Sequence, residues 1–151
     1  MTHKATDIPL TDSAARLRMG IVRTARRLRQ EAAAEATGLT PTSTAALATI
    51  ERHGPLTPSE LARLERVKRP TVTRTLGCLD REGLIERTPD PADGRSALVS
   101  VNAAGRERLR RLRGRKNAYL ARRMRDLPAD DVEALERAAQ ILERMLEDEA
   151  L

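Results

Sequence analysis

The sequence predicts a mainly α protein carrying one small β-hairpin. Apolar residues recur at a spacing near 3.6 over residues 12–37 and again beyond residue 103, as amphipathic helices require. Helix-start signals punctuate the middle of the chain at Thr40-Pro41, Thr57-Pro58-Ser59-Glu60 and Pro70. Residues 84–101 alone change pattern, into two short strand-forming runs separated by proline and Asp93-Gly94 turn chemistry.

Taken in order, Leu17, Ile21, Ala25, Leu28 and Ala32 form the apolar stripe of a first helix from Asp12 to about Thr37, with Gly38 placed to end it. Thr40 caps a second helix that runs through Leu47 and Ile50 and closes at Gly54. Thr57 and Glu60 have the spacing of a capping box, with Leu56 and Leu61 as its hydrophobic staple; this third helix should end around Arg66-Val67-Lys68. Pro70, at a first helical position, opens a fourth helix to about Glu82, with Val72, Leu76 and Leu79 inward and Gly83 as the stop. Leu84–Arg87 and Ala97–Val101 read as strands. Asn102 can cap a long fifth helix carrying Leu109, Leu112, Tyr119, Leu120, Met124 and Leu127. Pro128 interrupts the chain before a last helix with Val132, Leu135, Ala139, Leu142, Met145 and Leu146.

Charge distribution says more than its total. The net charge of +6 favours polyanionic partners, but 25 of the 28 basic residues are arginine in an alanine-rich chain, so base composition of the gene supplies part of that excess. Ala103–Leu127 carries net +8 and Pro128–Leu151 net −6, which suggests that the last helix neutralises basic surface in its own chain or a partner, while the helix before it faces something negative. No apolar run approaches the roughly 20 residues that span a bilayer, and MTHKATDIPL lacks the apolar core of a signal peptide, so a cytoplasmic protein without membrane contact is expected. One cysteine and two distant histidines make a metal site improbable, and no cofactor is expected. A phosphate-cradling glycine loop and a nucleophile with a nearby histidine are both lacking, which argues against an enzyme.

Two helices joined by a short turn, the second presenting small and basic residues outward, have the plan of a helix-turn-helix reader, and a hairpin directly after it is a wing. The fold class expected is therefore a winged helix-turn-helix head plus a helical dimerisation region. Arg74 and Arg81 lie on the outward side of the fourth helix, with Pro70, Thr71, Gly77 and Cys78 flanking. Arg95 at the wing tip can enter a narrow minor groove. The terminal helices have more apolar stripe than so small a head can cover, and a second copy is the economical partner.

The chain resembles the MarR family of winged-helix regulators. The resemblance rests on Gly54-Pro55-Leu56-Thr57-Pro58-Ser59-Glu60-Leu61-Ala62, Pro70-Thr71-Val72-Thr73-Arg74 with Leu79, Gly83-Leu84-Ile85-Glu86-Arg87, Asp93-Gly94-Arg95, and Val99-Ser100-Val101-Asn102 with Gly105. It implies a homodimer reading a pseudo-palindromic operator in double-stranded DNA. Residues 1–37 are then an N-terminal dimerisation helix, 38–102 the winged helix-turn-helix region and 103–151 the C-terminal dimerisation helices. Carried over by position, Arg69, Pro70, Thr71, Thr73 and Arg74 fall on the recognition helix and Arg95 on the wing, with Asp93 orienting it; Thr57 and Ser59 are cap or phosphate residues. Threonine is usual where Asn102 stands, and a small polar cap often stands at Arg69.

Such a regulator is most often a repressor, and many relatives release DNA when a small molecule binds between head and dimer region. Here the effector is unidentified, and with no Phe or Trp an aliphatic pocket is the expectation rather than an aromatic one. Cys78 is a candidate thiol sensor near the DNA-facing side. The competing reading is an architectural, low-specificity DNA-binding protein without an effector.

Overall fold

A computed structural model describes residues 9–147; the first eight residues, with His3, and the last four, with their share of the acidic tail, lie outside the described residues. Six helices and a two-stranded hairpin follow in the order α1 (Leu10–Glu31), α2 (Pro41–His53), α3 (Pro58–Leu64), α4 (Arg69–Arg81), β1 (Ile85–Pro89), β2 (Ala97–Val101), α5 (Ala103–Met124) and α6 (Ala129–Glu147). The chain divides into two compact units, Met1–Lys116 and Asn117–Leu151.

The core lies in the first unit, where α2, α3 and α4 pack on one another and on the hairpin. Leu47, Ile50, Leu61, Leu76, Leu79 and Val99 are its largest fully buried side chains. The capping box is formed: Thr57 Oγ1 accepts from the Glu60 N–H at 3.2 Å, and the Glu60 carboxylate accepts from the Thr57 N–H at 2.7 Å. The bonds that this carboxylate accepts, first from the Thr57 N–H and then from the Thr57 hydroxyl at 2.9 Å, hold the Glu60 carboxyl below the usual carboxylate range. The hairpin is antiparallel with Arg87 opposite Val99, and Leu56 adds a one-residue third strand by exchanging backbone hydrogen bonds with Val99 at 3.0 and 2.8 Å.

Several boundaries differ from the sequence reading. Helix α1 stops at Glu31, not Thr37, although the intervening residues are mostly alanine. Residues 32–39 instead wind through short-range turns that bury Ala32, while Arg108 of α5 donates to the carbonyls of Glu35 and Thr37 at 3.2 and 3.0 Å, so tertiary capture overrides helix propensity. Helix α3 ends at Leu64 because Arg66 adopts φ +51, which lets the Val67 N–H reach the Ala62 carbonyl and the Arg66 N–H that of Arg63. Pro70 is the second residue of α4 rather than the first, which moves the cap from Arg69 to Lys68. Strand β1 starts at Ile85 and extends to Pro89, a strand end being where a missing N–H is tolerated.

The basic face of α5 is partly answered within the first unit. Arg111 and Arg115 meet Glu35 at 3.0 and 3.6 Å, and Arg113 meets Glu51 at 2.5 Å. In the second unit, Arg122 and Arg123 lie over the half-buried Tyr119 ring at 5.8 and 5.7 Å, and Arg137 pairs with Glu133 one turn away in α6. Neither α1 nor α6 has a buried residue. No described helix is long and apolar enough to cross a membrane.

Candidate nucleic-acid interface

The outer side of α4 follows from its inner one. Val72, Thr75, Leu76 and Leu79 face the core, Thr75 being a buried position that apolar periodicity could not single out. Arg69, Pro70, Thr71, Thr73 and Arg74 are consequently all exposed along the first half of the helix. Thr73 Oγ1 donates to the Arg69 carbonyl at 3.1 Å, which fixes its methyl and hydroxyl orientation on that face. Lys68, the cap residue, offers no side-chain cap bond, so the N-terminus of α4 keeps its positive end open beside two cations. Sequence reasoning missed Lys68 as the cap because it placed the proline one position too early.

The turn between α3 and α4 spans residues 65–68 and is held from both ends. Thr49 of α2 donates to the Glu65 carboxylate, and the left-handed Arg66 turns the chain. At the far end of α4, Gly83 at φ +67 allows the Leu84 N–H to bond the Leu79 carbonyl and close the helix. Asn102 then joins three pieces: its Oδ1 accepts from the Gly105 N–H at 2.9 Å, while its Nδ2 donates to the Gly83 carbonyl at 2.9 Å and the Ile85 carbonyl at 3.4 Å. The cap expected at Asn102 is present, and the amide adds a tie to the end of α4 that a threonine hydroxyl in the same cap could not also make.

At the hairpin tip, Asp93 Oδ1 accepts from the Arg95 N–H at 3.0 Å and the Asp93 carbonyl accepts from the Ser96 N–H at 2.9 Å. Asp90 makes the same local turn with the Ala92 N–H at 2.9 Å. The carboxylate of Asp93 is thus engaged by backbone, and Arg95 is exposed with no ion-pair partner among the described residues. Thr57 uses its hydroxyl in the capping box, and Ser59 is exposed one position into α3.

The helical wheel put Cys78 on the flank of the outward side of α4. There it is half-buried, and its Sγ donates to the Gly38 carbonyl at 3.5 Å, so the thiol meets the segment joining α1 to α2. The wheel gave its angle on α4 but not what packs there. Ala36 and Leu39 of that segment, with Ala25, Leu28, Arg29 and Lys116, contribute to a cleft of about 550 Å³ in the first unit. Its walls are aliphatic, with two cations and no aromatic ring.

A basic, exposed helix face at the end of a helix-turn-helix, followed by a hairpin with a basic tip, defines a winged-helix DNA-binding protein. The MarR family model matches residues 39–97, the span from the end of the α1–α2 connection to the first residue of β2. An HTH-type transcriptional regulator of Mycobacterium leprae is 34% identical over 143 residues, covering 92% of this chain and 99% of its own. The crystal structure of a putative transcriptional regulator from Pseudomonas aeruginosa superposes with a TM-score of 0.78 at 33% identity, over 90% of this chain and 94% of that one. A mutant of MepR from Staphylococcus aureus, bound to an oligodeoxyribonucleotide, shares the fold at a TM-score of 0.66 and 19% identity, over 89% and 97% of the two chains. The chain belongs to the MarR family of DNA-binding transcriptional regulators, which are not enzymes.

Proposed function

We infer that the protein is a cytoplasmic homodimeric repressor that binds a pseudo-palindromic operator, with α4 of each copy in a major groove and Arg95 in the adjoining minor groove. The observation that carries this reading is the run of exposed residues Arg69, Pro70, Thr71, Thr73 and Arg74 at a helix N-terminus without a side-chain cap, followed in the same unit by an exposed Arg95 with no ion-pair partner among the described residues. Small side chains let the helix approach base edges, while Lys68 and Arg69 suit the flanking phosphates. The exposed apolar residues Leu17, Ile21 and Val22 of α1, and Leu135, Ile141 and Met145 of α6, support a second copy as their cover. A small aliphatic effector in the cleft beside Ala36 and Leu39 would act on the segment that also touches Cys78, and so release DNA.

Selection of bound fragments from genomic DNA, followed by titration against random duplex at fixed salt, tests the reading. A regulator of this kind should prefer its selected site by roughly a thousandfold or more. A specificity ratio near one would make it an architectural protein.

A further inference from the structure

The inner face of the hairpin carries a charged residue where apolar packing ends. Along β1, Ile85 is buried, Glu86 turns to the other side within 3.3 Å of Ser100 Oγ, and Arg87, though exposed, returns to the Ile85 side of the sheet. Its register partner Val99 is buried, and facing residues of an antiparallel pair share a side of the sheet. Beyond this pair every hairpin residue to the tip is exposed or half-buried, so apolar contact anchors the base of the wing and not its length. Arg87 fills that gap: its Nε and Nη2 donate to Oδ2 of Asp80, in the last turn of α4, at 3.2 and 2.7 Å.

We propose that Asp80 and Arg87 are a positioning pair that sets the angle of the wing against α4, and with it the separation at which Arg74 and Arg95 meet their two grooves. Neither side chain need touch DNA. The pair would discriminate among operators because groove width and step geometry vary with sequence, and a wing held at one angle fits one range of them. A role in fold stability is a poor account of it. The two side chains are 40% and 41% exposed, and ion pairs so open to solvent contribute little to folding.

This proposal rests on the groove assignment above, and its test separates the two. Wild-type protein, Asp80→Asn, Asp80→Ala, Arg87→Ala and the Asp80→Ala/Arg87→Ala double variant are titrated with the selected operator and with random duplex across a salt series, and their melting temperatures are compared. Removing the Asp80 carboxylate makes the surface more basic, so simple electrostatics predicts tighter binding. The positioning pair predicts the opposite: each Asp80 variant and Arg87→Ala should weaken operator binding by roughly tenfold, with the double variant no worse than either single. The slope against salt and the affinity for random DNA should stay unchanged, as should the melting temperature. Tighter or unchanged operator binding by Asp80→Asn overturns the proposal. So does a fall in salt slope confined to Arg87→Ala, which would make Arg87 a phosphate contact. If the wild type itself shows no preference for the selected site, the groove assignment fails first.

Discussion

The thiol of Cys78 in α4 donates to the carbonyl oxygen of Gly38, 40 residues earlier, at 3.5 Å. That contact joins α4 to the segment between α1 and α2. Gly38 has φ +82, and a Cβ placed on it would come within 2.5 Å of a Glu82 carboxylate oxygen, so α4 meets the segment at two places one turn apart. Changing Gly38 to alanine should cost about 1–2 kcal/mol through its left-handed backbone, since the Glu82 carboxylate can swing aside. Urea denaturation measures this, and a neutral result would mean that the segment reshapes. Cys78→Ala, by contrast, should leave operator affinity within about twofold, because the thiol is half-buried and engaged by the Gly38 carbonyl.

Gly105 sits on a closer contact with no such escape. An added Cβ would lie 2.2 Å from the Leu84 carbonyl oxygen and 2.6 Å from a Val101 methyl. Alanine in a helix gains about 1 kcal/mol over glycine, but here the obstacle is backbone tied by Asn102 to the end of α4. Overpacking should win, with a net loss of about 1–3 kcal/mol in chemical denaturation. A stabilised Gly105→Ala would show that α5 can slide away from the hairpin.

These contacts explain which parts of the molecule were legible in the sequence. The capping box at Thr57, the cap at Thr40 and the glycine stop at Gly83 are local devices, written within a few residues, and each formed as expected. The end of α1 was not legible because it depends on Arg108, some 70 residues away, capturing carbonyls in an alanine run that would otherwise continue as helix. The exposed face of α4 followed from its apolar period, yet the orientation of Cys78 required knowing that Gly38 packs behind it. Arg87 carried a readable signal, since it alternates with the inward Ile85, but its partner Asp80 lies on another element.

Arg66 shows a cost that no periodicity reports. Its φ of +51 lies in the region glycine adopts freely and other residues adopt at a penalty. Arg66→Gly and Arg66→Ala both remove the side chain, so their difference isolates the backbone. The glycine variant should be the more stable by about 1 kcal/mol in urea. Equal stabilities would indicate that the turn between α3 and α4 relaxes out of the left-handed region.

The capping box at Glu60 leads to a testable acid dependence. Its folded pKa is lowered from 4.5 by the hydrogen bonds from Thr57. A carboxylate with a lowered pKa contributes stability that is fully present above its unfolded value and is lost as pH falls through the folded one. Glutamine at this position keeps the reciprocal cap without the titration. Glu60→Gln should therefore flatten the part of the stability profile below about pH 4.5, with little change in slope near neutrality. An unaltered acid limb would place that sensitivity on other carboxylates.

Dimer formation is the remaining expectation, and two helices that each lack a buried residue make it testable. Ile21 on α1 is 43% exposed and Ile141 on α6 is 47% exposed, though both lie in amphipathic stripes that a monomer has no reason to keep. Glutamate at either position would have to be desolvated in an interface but costs almost nothing on a solvated helix. Ile21→Glu and Ile141→Glu should each shift the protein toward monomer in sedimentation equilibrium. The head core around Leu47 and Leu79 involves neither residue, so its cooperative unfolding should persist. A monomer offers one head to a two-half-site operator, so the loss of affinity should be far greater for the palindrome than for a single half-site. If both variants sediment as wild type and bind the palindrome equally well, these two faces are not where the copies meet.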